Sequence, residues 1–525
     1  MNPLALRAAL AVALLLPSPA GAGSVRFENG RWWNGRAFEP GARTVVDGVF
    51  VPDPEGAPDA VVDLGGGWAV PPLADAHTHA AADTPNPPAE IADLVAAGIF
   101  FFKNPNSTLA GVARGREALA GLPVRARFSG SGFTSPGGHP SQIYEPRGGD
   151  GWLPVDSPES LARAWKRLRE VRPDFVKVYL EGAEDHARVA ADPAYRGRRG
   201  LDPELLPPLL DLARREGLPV SAHVRSAEDF RLAVRAGVDE INHLPLEEIS
   251  AADVAACVRA GVRVVTTVLS HRPTHGVDDV SAVHRVNLER LEAAGATLAL
   301  GTDNGAVNVV DELLAVERLG VFPPPRLVDL ATTASIRACV ARSDPPVGEL
   351  VPGAEATFLV LAADPLEDTA AFRQIRSAHV KGRAIELPER KTSREGLADA
   401  MMREMHTNGL DAAIDSCRQW FRDGNASLEL SEAQVNAVGY AMLRHGRAEA
   451  AVRVFQLNVA LFRHSLNALD SLAEAQVAAG DATAAAATSR ELLRRLPEAQ
   501  DVTDAFREQL EATARERAAA AVDGD

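Results

Sequence analysis

The chain has 525 residues, of which 46% are hydrophobic and 24% are charged. This is the composition of a globular protein with a sizeable core, and the length predicts two or three domains. The formal net charge is -16, and the sequence has no Lys/Arg run of the kind that binds nucleic acid. We therefore expect no nucleic-acid partner, and an anionic membrane surface would repel the chain.

The first 22 residues have the pattern of an export signal. Arg7 supplies a positive charge, residues 8–16 are an apolar run too short to span a bilayer, and Ala20-Gly21-Ala22 is a small-x-small cleavage pattern. We predict a signal peptide at 1–22 and an exported protein, periplasmic or secreted. The alternative interpretation is a buried N-terminal helix.

The rest of the chain shows neither a membrane span nor a disulfide framework. No later stretch is long and apolar enough to predict a transmembrane helix. Cys257, Cys339 and Cys417 lie far apart without CxxC spacing. We expect three small buried side chains at these positions.

Two separated segments are predicted to be β-structure. Residues 24–72 and 341–390 contain short alternating stretches, such as 44–46 and 357–361, and Gly and Pro punctuate them. We interpret them as small antiparallel segments that form the two halves of one β-sandwich. A long insertion separates these halves.

The insertion, residues 73–340, alternates strand and helix patterns. The predicted strands are 69–76, 98–103, 124–130, 174–180, 218–223, 238–243, 262–268 and 297–303. The predicted helices are 89–97, 108–120, 158–171, 203–216, 226–236, 247–260 and 278–294, with two more after the last strand. Eight such units in this length predict an α/β fold of the TIM-like (β/α)8 barrel type. A doubly wound open sheet is the alternative.

The last region, residues 395–520, is Ala-rich and predicted to be all-α. The stretch at 435–440, followed by Gly446, returns 34 residues later as 469–474 followed by Gly480. This period resembles tetratricopeptide repeats, in which helical hairpins stack on one another. The resemblance implies a protein partner or self-association through the repeats. An unrelated bundle of four to six helices is the alternative.

The candidate chemistry lies where predicted barrel strands end. Residues two apart in a strand face the same side, so His77 and His79 should both point inward. His223, His243 and Asp303 end three other strands. The carboxyl ends of barrel strands meet at one rim, and imidazole and carboxylate ligands suit zinc and its first-row neighbours.

A lysine in an apolar strand suggests how a second metal is held. Lys177 should face inward, where a protonated amine has no lone pair to bind a metal and is costly to bury. Its neutral amine can react with carbon dioxide, and the resulting carbamate has two oxygens that can bridge two metals. In the alternative, Lys177 reaches solvent or pairs with an acid such as Glu181.

Together these residues resemble the binuclear amidohydrolase superfamily, in its imidazolonepropionase-like and prolidase-like subgroup. The resemblance covers about residues 24–390, including closing strands near 348–354 and 363–366. It implies two divalent metal ions, with zinc as the expected metal. By resemblance, His77, His79 and Asp303 hold one metal, His223 and His243 hold the other, and carboxylated Lys177 bridges them.

The mechanism implied by the resemblance is attack of a metal-bridging hydroxide on a carbonyl. Two metals lower the pKa of a shared water towards 7. Asp303 takes the proton and delivers it to the leaving amine. Asp75 either orients a histidine ligand or simply caps the strand end.

The sequence departs from the prolidase-like pattern, and this bears on the substrate. Those relatives carry a tyrosine shortly after the strand 5 histidine, whereas His223 is followed by Val224, Arg225 and Ser226. Arg225 is a candidate carboxylate binder. His139, in the Gly-rich loop 130–140, is a second candidate for substrate binding.

Tyr179 is the third candidate for substrate binding, as a donor to a tetrahedral oxyanion. Lys103, Asn104, His271 and His275 are expected to have ordinary structural roles.

The predicted function is hydrolysis of a carbon-nitrogen bond in an amide, cyclic amide or small peptide. Lactone or ester hydrolysis on the same site remains open. A mononuclear deaminase is disfavoured because such enzymes of the superfamily do not use a strand 4 lysine. A non-catalytic exported scaffold that binds partners through its helical repeats is the alternative from another class.

Overall fold

The computed structural model describes residues 23–52, 56–84, 86–144, 150–192, 195–271, 280–303, 308–341, 346–388, 395–423, 428–429, 431–444, 446–498 and 504–520. The predicted signal peptide lies outside the described residues. Within these ranges, every helix is too short or too polar to cross a bilayer. The chain divides into two compact units, one made of 1–270 and 280–390, the other of 271–279 and 391–525.

The strands of the first unit fall into three sheets. In chain order they are β1 (Ser24–Trp33), β2 (Phe38–Val46), β3 (Val49–Val51), β4 (Ala60–Asp63), β5 (Trp68–Val70), β6 (Leu73–Asp75), β7 (Ile99–Asn104), β8 (Arg125–Phe128), β9 (Gly132–Thr134), β10 (Trp152–Pro154), β11 (Val176–Leu180), β12 (Val220–Val224), β13 (Glu240–Asn242), β14 (Arg263–Val265), β15 (Thr297–Ala299), β16 (Phe358–Leu361), β17 (Ile375–Val380) and β18 (Arg383–Ile385).

One eight-stranded sheet contains strands from both predicted β-segments. Its order is β18-β17-β16-β5-β1-β2-β3, with β4 also paired to β1. The predicted antiparallel arrangement is wrong in part, because β1 runs parallel to both β4 and β5. The antiparallel pair β5–β16 joins the N-terminal segment to the later one.

Aromatic packing explains why these two distant segments meet. The Phe27 and Phe358 rings lie 5.1 Å apart edge to face, and the Phe358 and His379 rings stack at 4.6 Å. Trp32 and Phe50 add a further edge-to-face contact at 6.0 Å. Buried aromatic side chains supply a large part of the apolar area that stabilises such a sheet.

The helices between the strands begin where short polar side chains cap them. Ser157, Ser226 and Ser250 accept hydrogen bonds from backbone N–H groups three residues later, and Asn308 accepts one from two residues later. The helices of this unit are Pro87–Ala96, Leu109–Leu119, Ser141–Tyr144, Pro158–Glu170, His186–Ala191, Leu206–Arg215, Ala227–Ala236, Ala251–Ala260, Ser281–Ala293, Val309–Arg318, Pro324–Asp329 and Ser335–Cys339.

The strands of the insertion pair in parallel and lie in two sheets. One has the order β10-β9-β11-β12-β13-β14-β15 and the other β6-β7-β8. Two backbone hydrogen bonds connect these sheets. One runs from Ala76 N–H, just after β6, to Leu300 O, just after β15 (2.9 Å), and the other from Asp174 N–H, just before β11, to Phe128 O at the end of β8 (2.9 Å). The mixed α/β fold is therefore confirmed, with its helices between parallel strands.

The region after the third predicted strand differs from the prediction. The predicted strand 124–130 ends at Phe128, and β9 rather than β8 forms the ladder to β11, through Phe133 and Val178. The chain bends at Gly130, whose φ of 71° interrupts an extended strand. Nothing in the apolar pattern marks β9 and β10, because they are only three residues long.

The second unit is helical, as predicted. Its helices are Leu397–Asp423, broken at Gly409, then Glu432–Arg444, Ala448–Leu461, Leu466–Ala478, Ala482–Arg495 and Asp504–Ala520, and a short sheet pairs Glu395–Gly396 with Leu428–Glu429. The second and third helices have lengths of 13 and 14 residues, and the fourth and fifth repeat these lengths. Three small apolar clusters run along these helices instead of one central core.

Candidate active site

Five histidine rings form one cluster at the carboxyl ends of the parallel strands. The ring centroids of His77 and His243 are 4.8 Å apart, those of His223 and His243 are 4.5 Å apart, and those of His77 and His79 are 5.6 Å apart. His139 stacks on His223 at 4.9 Å. The structure thus brings together histidines that the sequence separates by more than 160 positions.

Asp303 lies in the middle of this cluster. Its Oδ1 is 2.9 Å from Nε2 of His77 and 3.1 Å from Nε2 of His79, and its Oδ2 is 3.8 Å from Nδ1 of His243. Burial alone would raise the pKa of the Asp303 carboxyl, but His243 and His77 hold this pKa well below its usual range. Asp303 is therefore a carboxylate at neutral pH.

Two histidines of the cluster, His77 and His223, are neutral in this environment. Burial, with the nearby Lys177, lowers the pKa of His77 to about 4, and burial together with His243 lowers the pKa of His223 well below its usual value. Nδ1 of His77 and Nε2 of His223 are buried without a hydrogen-bond partner among the described residues. Neutral imidazoles with free lone pairs are what a divalent metal requires.

Backbone geometry turns two of these side chains into the cluster. Asn242 and His243 are adjacent, so a regular strand would place them on opposite faces. His243 instead adopts a φ of 75°, and Asp303 a φ of 53°. Such left-handed conformations are costly for residues other than glycine and are concentrated at functional sites.

A glycine allows strand β15 to approach the cluster. A Cβ atom at Gly301 would lie 2.6 Å from Cβ of His77 and 2.7 Å from Cγ1 of Val265. Any larger residue at this position would push the chain that carries Asp303 away from His77. The amide of Asp303 donates to the carbonyl of His77 at 2.7 Å, which fixes the two ligand-bearing segments together.

Lys177 lies inside strand β11, before the strand ends at which the histidines cluster, and it is 1% exposed. Its Nζ donates to Oδ1 of Asn242, and no carboxylate of the described residues is within 4 Å of it. Burial lowers the pKa of Lys177 to about 7, although Asp303 and Glu240 oppose this shift. The alternative pairing of Lys177 with Glu181 is wrong, because Glu181 faces Arg225.

A buried polar network extends from Lys177. Asn242 Nδ2 donates to Oε1 of Glu240 at 3.2 Å, and Ser221 Oγ lies 2.9 Å from both Glu240 Oε1 and Asn242 Oδ1. Lys103 Nζ donates to the same Glu240 oxygen at 2.6 Å. Burial alone would raise the pKa of Glu240, but Lys103 and Arg263 lower it to about 2. A charged glutamate thus anchors the amide that contacts Lys177.

Breaking the Lys103–Glu240 pair should destabilise the protein. Lys103→Met leaves a carboxylate in a site where Glu240 is 2% exposed, and we expect the free energy of unfolding to fall by about 3 kcal/mol. The urea-unfolding midpoint measures this loss. The double variant Lys103→Met/Glu240→Gln should recover much of it, since it removes the buried carboxylate that loses its lysine partner. A single variant as stable as the wild type would contradict the prediction.

The candidate substrate-binding residues line the same cluster. The Tyr179 ring is 5.4 Å from the His223 ring, 5.0 Å from the His139 ring and 5.4 Å from Lys177 Nζ. Burial lowers the pKa of His139 to about 4 and raises that of Tyr179 well above its usual value, so both are neutral. A Cβ at Gly132 would lie 2.6 Å from Tyr179, which explains a glycine behind this ring.

Arg225 lies farther out. It comes two residues after His223, just past the end of β12, and Glu181 comes two residues after Tyr179, just past the end of β11. The Arg225 and Glu181 side chains are 3.6 Å apart. The Arg225 side chain is 46% exposed. Burial raises the pKa of Glu181 to about 7, with Arg225 opposing the shift.

The remaining predicted positions have structural contacts. The Asp75 side chain accepts hydrogen bonds from the backbone N–H of His77 and from the N–H and hydroxyl of Thr302. It therefore fixes the backbone of these two segments and does not orient an imidazole ring. Asn104 donates to the carbonyl of Ala80. The three cysteines are free and buried, as predicted. The side chain of His271 and all of His275 lie outside the described residues.

Several contributing residues were not identified from the sequence. Thr267 Oγ1 is 2.7 Å from Nδ1 of His243, and the carbonyl of Asn106 is 3.2 Å from Nδ1 of His79. Asn242 and Glu240 carried a usable signal, since two polar residues spaced by two in a buried strand face the same side. Thr267 and Asn106 carry none, because their contacts come from loops.

The donor set fits a metal ion. His77, His79 and Asp303 each offer a ligand atom, and these atoms all lie within 4.8 Å of one another. The neutral imidazole of His77 and the ionised carboxylate of Asp303 are ligand forms that zinc and related metals bind.

The comparisons with known proteins agree with this arrangement. The model of the amidohydrolase family matches residues 68–385, and the chain belongs to this family. Members of the amidohydrolase family are typically metal-dependent, which fits the His-His-Asp group.

Individual relatives are more distant. Ochratoxinase of Aspergillus niger is 28% identical over 185 residues, which is 33% of this chain and 38% of that protein. The match therefore spans well under half of that relative's length. Its crystal structure superimposes with a TM-score of 0.58 at 19% identity, over 69% of this chain and 95% of that one. A Xaa-Pro dipeptidase with bound methionine gives 0.58 at 17% identity, over 69% and 100%.

Proposed function

We propose that this protein is a metal-dependent hydrolase that cleaves a carbon-nitrogen bond in an amide, cyclic amide or small peptide. The observation that carries this proposal is the cluster of histidines around ionised Asp303, with the buried Lys177 beside it, in a chain of the amidohydrolase family. The names of similar proteins, an ochratoxinase and a Xaa-Pro dipeptidase, support an amide as the substrate class.

Two divalent metal ions, zinc by preference, are proposed for the site. His77, His79 and Asp303 would hold one and His223 and His243 the other, with a carboxylated Lys177 between them. When bound, these ions would supply a water of lowered pKa and polarise the substrate carbonyl. The unpartnered Nε2 of His223 supports this assignment, because a buried lone pair without a partner costs free energy.

Carboxylation of Lys177 is proposed from its surroundings. Its amine is buried without a carboxylate partner among the described residues, whereas Lys103, also buried, is paired with Glu240 at 2.6 Å. In the reaction, Nζ forms a bond to the carbon of carbon dioxide and loses one proton to water. The carbamate N–H that remains would donate to Oδ1 of Asn242, the present partner of Nζ.

Asp303 is proposed to move the proton. Its Oδ1 and Oδ2 face three histidines, and its carboxylate is ionised at neutral pH, so it is ready to accept a proton from the attacking water. It would then deliver this proton to the leaving amine.

The substrate is proposed to contact three further residues. Neutral Tyr179 would donate to the developing oxyanion, and His139 would contact the substrate from the other side of His223. Arg225 would bind a carboxylate of the substrate, since its exposed guanidinium is held only loosely by Glu181. Ester or lactone hydrolysis uses the same groups and is the second candidate.

The arrangement of the sheets into domains is also a proposal, based on the sequence pattern and on the strand order. We propose that the two parallel sheets form one closed (β/α)8 barrel, supported by the hydrogen bonds Ala76–Leu300 and Asp174–Phe128. From β11 to β15 the strand order follows the chain, without the reversal of a doubly wound sheet. We propose residues 24–72 and 341–390 as the composite β-domain around this barrel.

The C-terminal helices are proposed to be a tetratricopeptide-like module. Helices Leu466–Ala478 and Ala482–Arg495 begin 34 residues after Glu432–Arg444 and Ala448–Leu461. Gly446 and Gly480, also 34 apart, both have positive φ in the turns. Binding of a protein partner or of a second copy through this module, and export through residues 1–22, remain proposals of the same kind.

Metal reconstitution tests the central proposal. Full-length protein stripped with a chelator should lose amide hydrolysis and regain it with zinc or manganese plus bicarbonate, at about two metals per chain. The assay screens dipeptides, N-acyl amino acids, cyclic amides and lactones. Turnover of lactones only would select the ester alternative. Metal-replete protein inactive on every class, with intact folding, would favour the scaffold.

A further inference from the structure

A second cavity lies at the opposite ends of the strands from the histidine cluster. It has a volume of about 540 Å³ and is lined by residues that precede or begin β11 to β14. Phe175, Pro219, Asp239, Glu240 and Arg263 mark these amino ends. The histidines and Asp303 lie at the carboxyl ends, so this cavity is separate from the proposed metal site.

The lining of the cavity is strongly basic. Five cationic side chains contribute to it, against the two carboxylates of Asp239 and Glu240; the cations are Lys103, Arg127, Arg214, Arg263 and Arg337. This excess is unexpected in a chain whose formal net charge is -16. Two of the arginines have acidic partners outside the cavity, since Arg214 pairs with Asp211 and Arg337 with Glu349.

The other three cations, Lys103, Arg127 and Arg263, have one carboxylate partner between them among the described residues. Lys103 Nζ is 4.3 Å and the Arg127 guanidinium carbon 6.0 Å from the Phe175 ring. Arg263 and Lys103 share the single carboxylate of Glu240, at 3.5 and 2.6 Å.

Arg127 donates only to the backbone carbonyl of Asp174, and none of the described carboxylates lies within 4 Å of it. Nε of Arg263 is buried and has no hydrogen-bond partner in the described part of the chain. Like charges held this close in a partly buried site repel one another unless an anion joins them.

We propose that this cavity binds a small oxyanion, of the class shared by inorganic phosphate and bicarbonate. Guanidinium groups bind such anions through paired N–H donors, and Arg127 and Arg263 have donors to spare. Bound there, the anion neutralises the excess positive charge beside Lys103. This inference is independent of the proposed hydrolysis, because it uses none of the proposed metal ligands.

Calorimetric titration of the full-length protein with inorganic phosphate, and separately with bicarbonate, tests the proposal. We expect saturable binding of at least one of them, and affinity lowered by roughly tenfold or more in Arg127→Met and in Arg263→Met. Two variants are used so that poor folding of one leaves the other informative, and circular dichroism checks each. Arg285→Met is the matched control, since Arg285 lies on an exposed helical face beside Glu289.

Phosphate also binds to metal centres, so a further variant, His77→Asn, distinguishes binding in the cavity from binding at the proposed metal site. Binding lost in His77→Asn but kept in both arginine variants would place the anion at the metal site and overturn the proposal. Absence of binding by both anions, or equal affinity in the wild type and both variants, would overturn it as well. Preference for phosphate or for bicarbonate identifies the source of the oxyanion.

Discussion

Replacing Asp303 by asparagine is expected to lower kcat by about 10³-fold while the metal content stays close to that of the wild type. Asparagine keeps the size of the side chain and one oxygen beside His77 and His79, where Oδ1 of Asp303 lies at 2.9 and 3.1 Å. It has no carboxylate to accept a proton, and general acid–base catalysis contributes about 10²- to 10⁴-fold. Steady-state kinetics on the best amide substrate, with elemental analysis of the same sample, measures both quantities.

The control for this variant is Asp311→Asn. Asp311 lies in the first turn of the next helix and pairs with Arg373 at the surface, so its loss removes one negative charge from the same region without touching the histidines. We expect its kcat to match the wild type. Unchanged turnover in Asp303→Asn would contradict the proposed role of Asp303 in proton transfer. Loss of metal from this variant would show that Asp303 acts chiefly as a metal ligand.

Replacing Lys177 by alanine is expected to lower the metal content from about two ions to one or fewer and to reduce activity by more than about 100-fold. The proposed carbamate would be the only ligand shared by both metals, and even residues that merely orient ligands cost 10- to 100-fold when lost. Elemental analysis of protein purified with zinc and bicarbonate measures the first effect. A ¹³C signal from labelled bicarbonate, present in the wild type and absent in the variant, measures the carbamate itself.

Two further samples make the Lys177 result specific. Lys166→Ala removes an exposed lysine from helix Pro158–Glu170 and should keep both metals and the ¹³C signal. A short carboxylic acid added to Lys177→Ala should restore part of the metal content by occupying the vacated space. One metal in the wild type, or two in Lys177→Ala, would contradict the bridging role. One metal in the wild type would also bring a mononuclear deaminase forward.

Much of the site was predictable because strand geometry is regular. Side chains two residues apart in an extended strand face the same side, which places His77 with His79. The same spacing places Lys177 and Tyr179 of β11 with Glu181, which follows the strand. His243 breaks the rule, because Asn242 already points inward and only a φ of 75° brings the next ring to the same side. Local sequence patterns do not specify such a backbone angle, although the position at a strand end made the histidine a candidate.

The sequence placed most helices and parallel strands within a few residues, since apolar periodicity and capping side chains are local signals. It could not give the sheet pairings, and the expectation of purely antiparallel β-segments failed at β1, which lies parallel to β4 and β5. Pairing partners are chosen by contacts between distant residues, such as Phe27 with Phe358. The same holds for β9, which replaces β8 beside β11.

By itself, the sequence determined the family, the chemistry of the clustered side chains and the strand ends at which they lie, because residue chemistry and short-range periodicity are local properties of the chain. The tertiary structure alone decided which buried charges face one another. Among the described residues, it pairs Lys103 with Glu240, whereas the hydrogen-bond partner of Lys177 is the amide of Asn242. It also gathers Arg127 and Arg263 around a cavity that lies at the strand ends opposite the histidines. These assignments depend on distances between strands that are remote in sequence, and at such distances desolvation and Coulomb interactions set the protonation state of each group.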